Sequence, residues 1–592
     1  MKLFPQIYKI EITSHHKSII AREKEILADK IQEAGIPLNS YCNKKGLCGK
    51  CMVEIVKGEL PPLSEKEAYF LKKKKLGPRY RLACLYGIKG NLEIRIPEES
   101  LIQEMLILTT GIRETLSLNP AVKKYFLKLK KPEIKLPLSL IELVEKELGK
   151  KVLITDLGLL KDLPRLVEKS NFQLTIALKD GREIIAIEEG DTAQRAFGLA
   201  IDIGTTTLVT EVVDIISGES LGTATSKNGQ AKYGADVVSR ISFAYLKPEN
   251  LERLNEAVLQ SLNEMIANLL WKKGIKESEI YEVAIAGNTS MNHFFLGIPV
   301  ESLAVAPFYS VFTHLPQLRA GSLGLKINQN ARVYISPNIQ SFVGGDISAG
   351  LVASGFEAKE GNFLYIDLGT NGEIVLKKKH KFLATSTAAG PAFEGMNISC
   401  GMLALSGAIY KAEFKKRLVL KTINEAPPLG ICGTGLIDLI AILIEQGKIS
   451  PKGNISHKEK KVWLAKNIFI DQKDVRELQL AVAAIRCGIR LILKRSKLRL
   501  KDLDGILIAG AFGNYLNIEN SMKIGLLPSL DANKITFIGN ASLAGARAFL
   551  LSPEIRKRAE NLVRKIEFFS PAADPLFQEY FIDSLELKPY DS

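Results

Sequence analysis

Residues 7–12, IYKIEI, alternate apolar and polar positions, which predicts a half-buried strand. ILADKIQEAG (26–35) switches to helical spacing and stops at Gly35, while CMVEIVKG (51–58) and NLEIRIP (91–97) predict strands again. Residues 1–97 therefore form a small β-rich unit. Residues 98–135 break the pattern: helical pieces are expected near 99–107, and the basic, proline-bounded VKKYFLKLKKPEIKLP (122–137) suits a linker whose lysines are solvated. Residues 136–195 predict a small α/β module. SLIELVEKELG (139–149) and LPRLVEKS (163–170) are helical, and FQLTIALKDGREIIAIEEG (172–190) is a hairpin around Lys-Asp-Gly-Arg. From 196 to 592 strands and helices alternate, so the class is α/β. This last region echoes itself: LAIDIGTTTLVTEVVD (199–214) and LYIDLGTNGEIVLKK (364–378) share a strand, Asp-aliphatic-Gly-Thr, small polar residues and a second strand. Two related halves facing each other are expected.

The 592 residues correspond to about three to five domains. With 46% hydrophobic and 24% charged residues, the chain is neither disordered nor fibrous. A net charge of +15 is modest for this length; it permits an acidic partner without implying nucleic acid. No run of ~18 apolar residues predicts a membrane span. The start, MKLFPQIYKIEITSHHK, reads as mature protein. Seven cysteines, four of them within the first 84 residues, are not a dispersed disulfide framework. They point to a reducing cytoplasm and one local metal site.

That site has the spacing Cys42-x5-Cys48-x2-Cys51, with Cys84 arriving from a distant segment. Three thiolates on one loop, with Gly46 and Gly49 between them, can wrap two irons and aim backbone N–H groups at sulfur. Four such thiolates suit [2Fe–2S]. The alternative, structural zinc, usually pairs two close Cys-x-x-Cys units, and Cys84 stands alone. Residues 1–97 resemble a β-grasp ferredoxin domain, with the five-residue first gap of the adrenodoxin-like group. Cys400, Cys432 and Cys487 have no such spacing and read as buried thiols.

No GxxxxGK[ST] loop is present. In Asp202-Ile-Gly204-Thr205-Thr206-Thr207, the glycine admits a phosphate close to the backbone and the threonines offer hydroxyls. Asp202 is a candidate Mg²⁺ acceptor, directly or through water. Asp367-Leu-Gly369-Thr370-Asn371-Gly-Glu repeats the parts, and the apolar strand before Gly510-Ala-Phe-Gly513 ends where a base and ribose could lie on bare backbone. This order resembles the actin, sugar-kinase and heat-shock-chaperone ATPase superfamily. The resemblance makes Gly287-Asn288-Thr289 the first connecting segment and residues 539–546 the second. It implies two ribonuclease-H-like lobes with ATP and Mg²⁺ in a cleft that closes on nucleotide. Asp346, after Gly344-Gly345, is expected either near the γ-phosphate, orienting water, or as a helix cap. Gly433-Thr434 is a candidate phosphate or ribose contact before a helix at 436–445.

A ferredoxin domain (1–97), a linker (98–135), a middle domain (136–195) and this ATPase (196–592) together resemble the reductive activators of corrinoid proteins along essentially the whole chain. The resemblance implies that cobalt(II) cobalamin on a partner protein is returned to cobalt(I) by one electron from the cluster, driven by ATP. It implies Asp202, Asp367 and Asp346 as catalytic candidates, a low-potential electron donor, and a possible homodimer. Neither nucleic acid nor a membrane is expected as partner. Loop 385–402, with Ser386 and Ser399, is a candidate for facing the corrin. Three other readings stand beside this one: an activator of a radical dehydratase, a small-molecule kinase with a redox sensor, and a non-enzymatic redox-responsive binding protein. The first is disfavoured because the cluster cysteines lie outside the ATPase. The kinase lacks an evident base other than Asp346, and both phosphate turns keep their aspartates.

Overall fold

The computed structural model describes residues 6–15, 17–34, 36, 38, 51–74, 76–97, 100, 118–132, 138–510 and 516–590. Two compact units divide the chain, Met1–Leu106 and Ile107–Ser592. The first contains β1 (Ile7–Ile12), β2 (Lys17–Arg22), α1 (Leu27–Glu33), β3 (Met52–Lys57), α2 (Glu65–Lys74), β4 (Tyr80–Leu82) and β5 (Leu92–Arg95). Its sheet runs β2-β1-β5-β3-β4, with β1 parallel to β5. The alternation in β1 turns Ile10 and Ile12 inward, where they meet Leu27 and Ile31 of α1 and Val53 and Ile55 of β3. A mixed sheet clasping one helix is the β-grasp arrangement expected.

The second unit opens with β6 (Val122–Lys128), α3 (Leu140–Leu148), α4 (Leu157–Lys169), β7 (Gln173–Lys179) and β8 (Glu183–Glu189), the strands forming a sheet in the order β6-β7-β8. The hairpin and α3 stand where the pattern places them, α3 starting on a Ser139–Glu142 capping box. Helix α4 begins six residues earlier than its periodicity suggests, on the Asp156 cap, and runs through Pro164, which in sequence resembles a first-turn proline. Strand β6 lies in the stretch read as linker. Its lysines are not all solvated: the Lys124 side chain is 1% exposed and its ammonium bonds Glu188 (2.8 Å), Tyr281 (2.9 Å) and the Arg195 carbonyl (3.0 Å). A segment scored on charge alone hides such a lysine, whose partners come from 64, 71 and 157 residues away. The helical pieces expected near 99–107 lie outside the described residues.

The next lobe holds β9 (Phe197–Ile203), β10 (Thr207–Asp214), β11 (Ser220–Lys227), α5 (Val237–Leu246), α6 (Pro248–Lys273), β12 (Ile280–Gly287), α7 (Thr289–Leu296), α8 (Glu301–Ala304), β13 (Leu318–Arg319), β14 (Arg332–Ile335) and α9 (Gly345–Ala353). The last lobe holds β15 (Asn362–Leu368), β16 (Gly372–Lys378), β17 (Lys381–Thr387), β18 (Ala408–Phe414), β19 (Leu418–Thr422), β20 (Gly430–Ile431), α10 (Gly433–Glu445), β21 (Lys461–Ala465), β22 (Ile468–Asp471), α11 (Gln472–Arg495), β23 (Gly505–Ala509), α12 (Ile518–Lys523), β24 (Ile535–Gly539), α13 (Ala541–Leu551), α14 (Pro553–Val563), β25 (Ile566–Phe568) and α15 (Phe577–Asp583).

Their main sheets run β11-β10-β9-β12-β14-β13 and β24-β23-β15-β16-β17-β25. Superposing β9 on β15 makes five strands of each order equivalent, three antiparallel strands joined by hairpins and then two parallel strands, while the sixth strands, β13 and β25, lie at opposite edges. The sequence echo is thus a duplicated ribonuclease-H-like sheet. Between the sheets, one apolar cluster takes Ala200 and Ala286 from the first, Tyr365, Val375 and Ala509 from the second, and Ile347 and Leu543 from α9 and α13. These two helices cross at bare backbone. A Cβ on Gly545 would lie 2.3 Å from the Ala349 carbonyl oxygen, so no larger residue fits the contact.

Candidate functional site

Both phosphate motifs sit at hairpin turns where the two duplicated sheets face each other. Gly204 N–H donates to the Thr207 carbonyl (3.0 Å), closing the first turn. Asn228 braces it from behind, its N–H on the Thr206 carbonyl and its amide on the Gly204 carbonyl, both at 2.9 Å. In the second turn Gly369 N–H donates to the Asn371 carbonyl (3.0 Å), and Thr370 Oγ1 donates to Glu394 Oε1 (2.5 Å). Thr205, Thr207 and Asn371 are half-buried, whereas Thr206 and Thr370 are buried.

Four carboxylates converge here. In the β15–β16 hairpin Asp367 pairs with Glu373, and Glu373 in turn pairs with Ser386 of β17, so these three share one sheet face. Asp346 reaches the same place from the first turn of α9; Gly344 is the helix cap, so Asp346 is not. Asp202 completes the group, accepting from Asn540 Nδ2 and Ser542 Oγ at 2.9 Å each. Burial raises all four carboxyls above their usual range; for Asp367 it does so together with the charges of Asp346 and Asp202, up to about 8. Among the described residues no Lys or Arg forms an ion pair with any of the four. Such a cluster is short of positive charge. No three of the described acidic groups stand close enough to cage an ion by themselves. The fit is to Mg²⁺, which keeps several waters and takes its remaining ligands from phosphate oxygens.

The connecting segments serve as scaffold. Gly287 pairs with Ile203 in the β12–β9 ladder, Asn288 caps α7 through Ser290 N–H (3.1 Å), and the buried Thr289 hydroxyl donates to the Gln340 carbonyl (2.6 Å). The bonds these residues make are to the framework around the cleft. Gly510 follows β23 at φ +113°, a conformation that favours glycine, and a Cβ there would lie 2.5 Å from the Leu368 carbonyl oxygen and 3.5 Å from the Asp367 carboxylate. Gly513 lies outside the described residues. Gly433 and Thr434, expected as a phosphate or ribose contact, are both buried in α10: Thr434 Oγ1 donates to the Tyr410 carbonyl (2.8 Å), and a Cβ on Gly433 would collide with the Phe393 carbonyl. A flexible Gly-Thr-Gly turn in sequence is here the helix's own first turn. In the loop read as corrin-facing, residues 385–387 are the end of β17, and Ser399 is exposed, its hydroxyl on Asp471 (2.8 Å) and its N–H on Asp474 (2.7 Å).

In the ferredoxin unit Cys51 and Cys84 are 1% and 5% exposed, brought together where Ala83 N–H donates to the Cys51 carbonyl (2.9 Å). The approach to Cys84 is pinned by Arg81, which binds the Pro61, Pro78 and Tyr80 carbonyls, and by Glu67, which accepts from Leu82 N–H (3.1 Å). Two thiols held side by side in an apolar core suit a low-dielectric iron–sulfur site; Cys42 and Cys48 lie outside the described residues.

Glu373, Asn540 and Ser542 are the site residues that motif reading does not assign. Glu373 was legible, since it flanks its turn symmetrically with Asp367. Asn540 and Ser542 lie in the segment expected as the second connecting one, but their bonds to Asp202 were not legible, because they reach it from 338 and 340 residues away.

A β-grasp ferredoxin unit joined to a duplicated ribonuclease-H-like ATPase defines an ATP-dependent iron–sulfur reductase. Profiles of four families match the chain in succession: the 2Fe-2S iron-sulfur cluster binding domain over 11–89, the RACo linker region over 111–194, the RACo middle region over 197–359, and the C-terminal ASKHA domain of RACo over 361–592. The chain is 32% identical over 597 residues to the corrinoid activation enzyme RamQ of Eubacterium limosum, covering 96% of this chain and 97% of RamQ. It is 27% identical over 423 residues to the [Co(II) methylated amine-specific corrinoid protein] reductase of Methanosarcina barkeri, covering 66% and 76% of the two. A solved structure, the reductive activator for corrinoid,iron-sulfur protein, aligns over 99% of both chains at 34% identity with a TM-score of 0.75. The chain belongs to the RACo family of reductive activators, and its cofactors are a [2Fe–2S] cluster and ATP with Mg²⁺.

Proposed function

We propose that this chain uses ATP to drive one-electron reduction of a corrinoid protein, returning cobalt(II) to cobalt(I). The observation that carries the reading is the union, in one chain, of a two-cysteine core site and a cation-poor carboxylate cleft between twin phosphate turns, in a protein alike to RamQ end to end. The cluster supplies single electrons and is reloaded by a low-potential donor. Plant-type clusters sit near about −400 mV, and transfer to an acceptor is disfavoured about tenfold for every ~59 mV that the acceptor lies lower. An ATP-driven change of shape offsets such a deficit.

Within the cleft, Asp202 and Asp367 would hold the magnesium of MgATP, and the turns 204–207 and 369–371 would offer backbone N–H groups and hydroxyls to its phosphates. Asp346 and Glu373 would orient the attacking water and accept its proton, their raised basicity matching that role. Asp202 also ties the first phosphate turn to the α13 cap, so what occupies the turn at Asp202 bears directly on the start of α13.

The test is anaerobic optical spectroscopy of a cobalt(II) corrinoid protein mixed with this protein, a low-potential reductant and MgATP. Growth of the cobalt(I) band only with ATP is the expected result. ATP-independent reduction, or none with a range of corrinoid partners and a reducible cluster, would overturn the reading.

A further inference from the structure

Behind the phosphate turns lies a chain of polar side chains with one link missing. Asn228, which braces the first turn, donates through Nδ2 to Gln230 Oε1 (3.2 Å). The same oxygen accepts from Arg240 Nη1 (3.4 Å), a residue of α5 that is 0% exposed. Arg240 Nε donates to the Gly234 carbonyl (2.9 Å), but its Nη2 has no hydrogen-bond partner among the described residues. On the other lobe Glu394 accepts from Thr370 of the second phosphate turn through Oε1, while its Oε2 is buried and likewise without a partner among them. Glu394 is one of two carboxylates, with Asp236, whose charge acts on the guanidinium. An orphaned donor and an orphaned acceptor of opposite charge, each atom buried, thus stand on opposite lobes within electrostatic reach of one another. Each is costly alone, and the two satisfy one another if joined.

We infer that Arg240 and Glu394 are positioning residues that pair across the cleft when the two phosphate turns draw together on nucleotide, completing a relay Gly204–Asn228–Gln230–Arg240–Glu394–Thr370. The relay lets each phosphate turn sense whether the other is engaged. Glu394 also begins the stretch that leads to Ser399, so the joined pair fixes that exposed loop only in the closed state. The inference rests on the nucleotide reading above.

The experiment is a double-mutant cycle on the full chain with its cluster intact, using Arg240→Met, Glu394→Gln and the pair. It reads the calorimetric affinity for a non-hydrolysable ATP analogue with Mg²⁺, the protection of the chain from limited proteolysis by that analogue, and the melting temperature without nucleotide. Each single variant is expected to bind the analogue about tenfold more weakly, as coupling energies of this kind do. The double variant should be no weaker than either single one, and the nucleotide-free melting temperature of Glu394→Gln, which keeps the acceptor for Thr370, should be unchanged or raised. Glu394→Asp and Arg240→Lys, which keep the charges, should recover part of the affinity; where Arg240→Met does not fold, Arg240→Lys and Glu394→Gln complete the test. Unchanged affinity in the single variants, or additive losses in the double, would overturn the pairing. Failure of the wild-type chain to bind the analogue would overturn the nucleotide reading itself, and the pairing with it.

Discussion

Asp202 and Asn540 are joined by a 2.9 Å hydrogen bond that spans 338 positions of sequence, from the first phosphate strand to the cap of α13. The same asparagine caps its own helix through Leu543 N–H (2.9 Å), so one side chain reports the state of Asp202 to the helix crossing. Replacing Asn540 with Leu removes both bonds. ATP hydrolysis is expected to fall by about tenfold to a hundredfold, the cost of one hydrogen bond to a charged group. Phosphate release checks this, with the visible spectrum of the cluster unchanged.

Asp346→Asn separates stability from activity. The folded carboxyl titrates above its unfolded value of about 3.9, so the nucleotide-free protein loses stability as pH rises between that value and the raised folded one. The amide removes this loss. At pH 8 the nucleotide-free melting temperature should rise by about 2 °C, while hydrolysis falls on the order of 100-fold. Equal melting of the two proteins at pH 8 would contradict the assigned burial.

His293 gives the opposite slope. Its Nδ1 is 2.8 Å from the Thr289 carbonyl, its Nε2 accepts from Val311 N–H (3.2 Å), and it stacks on Phe312. Burial lowers its pKa. The unfolded chain takes up the proton first, near about pH 6.5, so stability falls as pH drops below that value. Melting curves from pH 8 to 5 should show a shallower acid loss in His293→Gln.

Cys84→Ser should abolish the visible absorption of the cluster and all cobalt reduction. Affinity for an ATP analogue should stay within about twofold, because the cysteine lies in the other compact unit. Loss of nucleotide binding would show the two units to be interdependent.

Ser386→Ala and Ser399→Ala are expected to differ. Ser386 pairs with Glu373, so its loss acts on hydrolysis. Ser399 is exposed and bonds Asp471 and Asp474 instead of either phosphate turn, so its loss should lower cobalt(I) formation while phosphate release stays normal. Unchanged cobalt reduction in Ser399→Ala would remove the loop from the partner contact.

The fold was largely legible because duplicated sheets write a duplicated pattern, as with Asp202 and Asp367 at matching strand ends. The hairpin at 173–189 was legible because its turn chemistry is local. Strand β6 was not, since lysine-rich sequence looks solvated until Glu188 and Tyr281 arrive to bind Lys124. In the site, residues on the turns could be read directly. Asn540, Ser542, Arg240 and Glu394 could not, because their roles depend on what a distant segment brings alongside. Gly433-Thr434 shows that a sequence cannot tell an open turn from a helix start: both residues are buried in the first turn of α10.

The contact of α9 with α13 sets Gly545 against the Ala349 backbone, with Ile347 and Leu543 packed in the same apolar cluster. Such a joint resists sliding, because either helix would drive side chains into the other's backbone. It keeps the Asn540 end of α13, and with it the bond to Asp202, at a fixed distance from α9, the helix that carries Asp346.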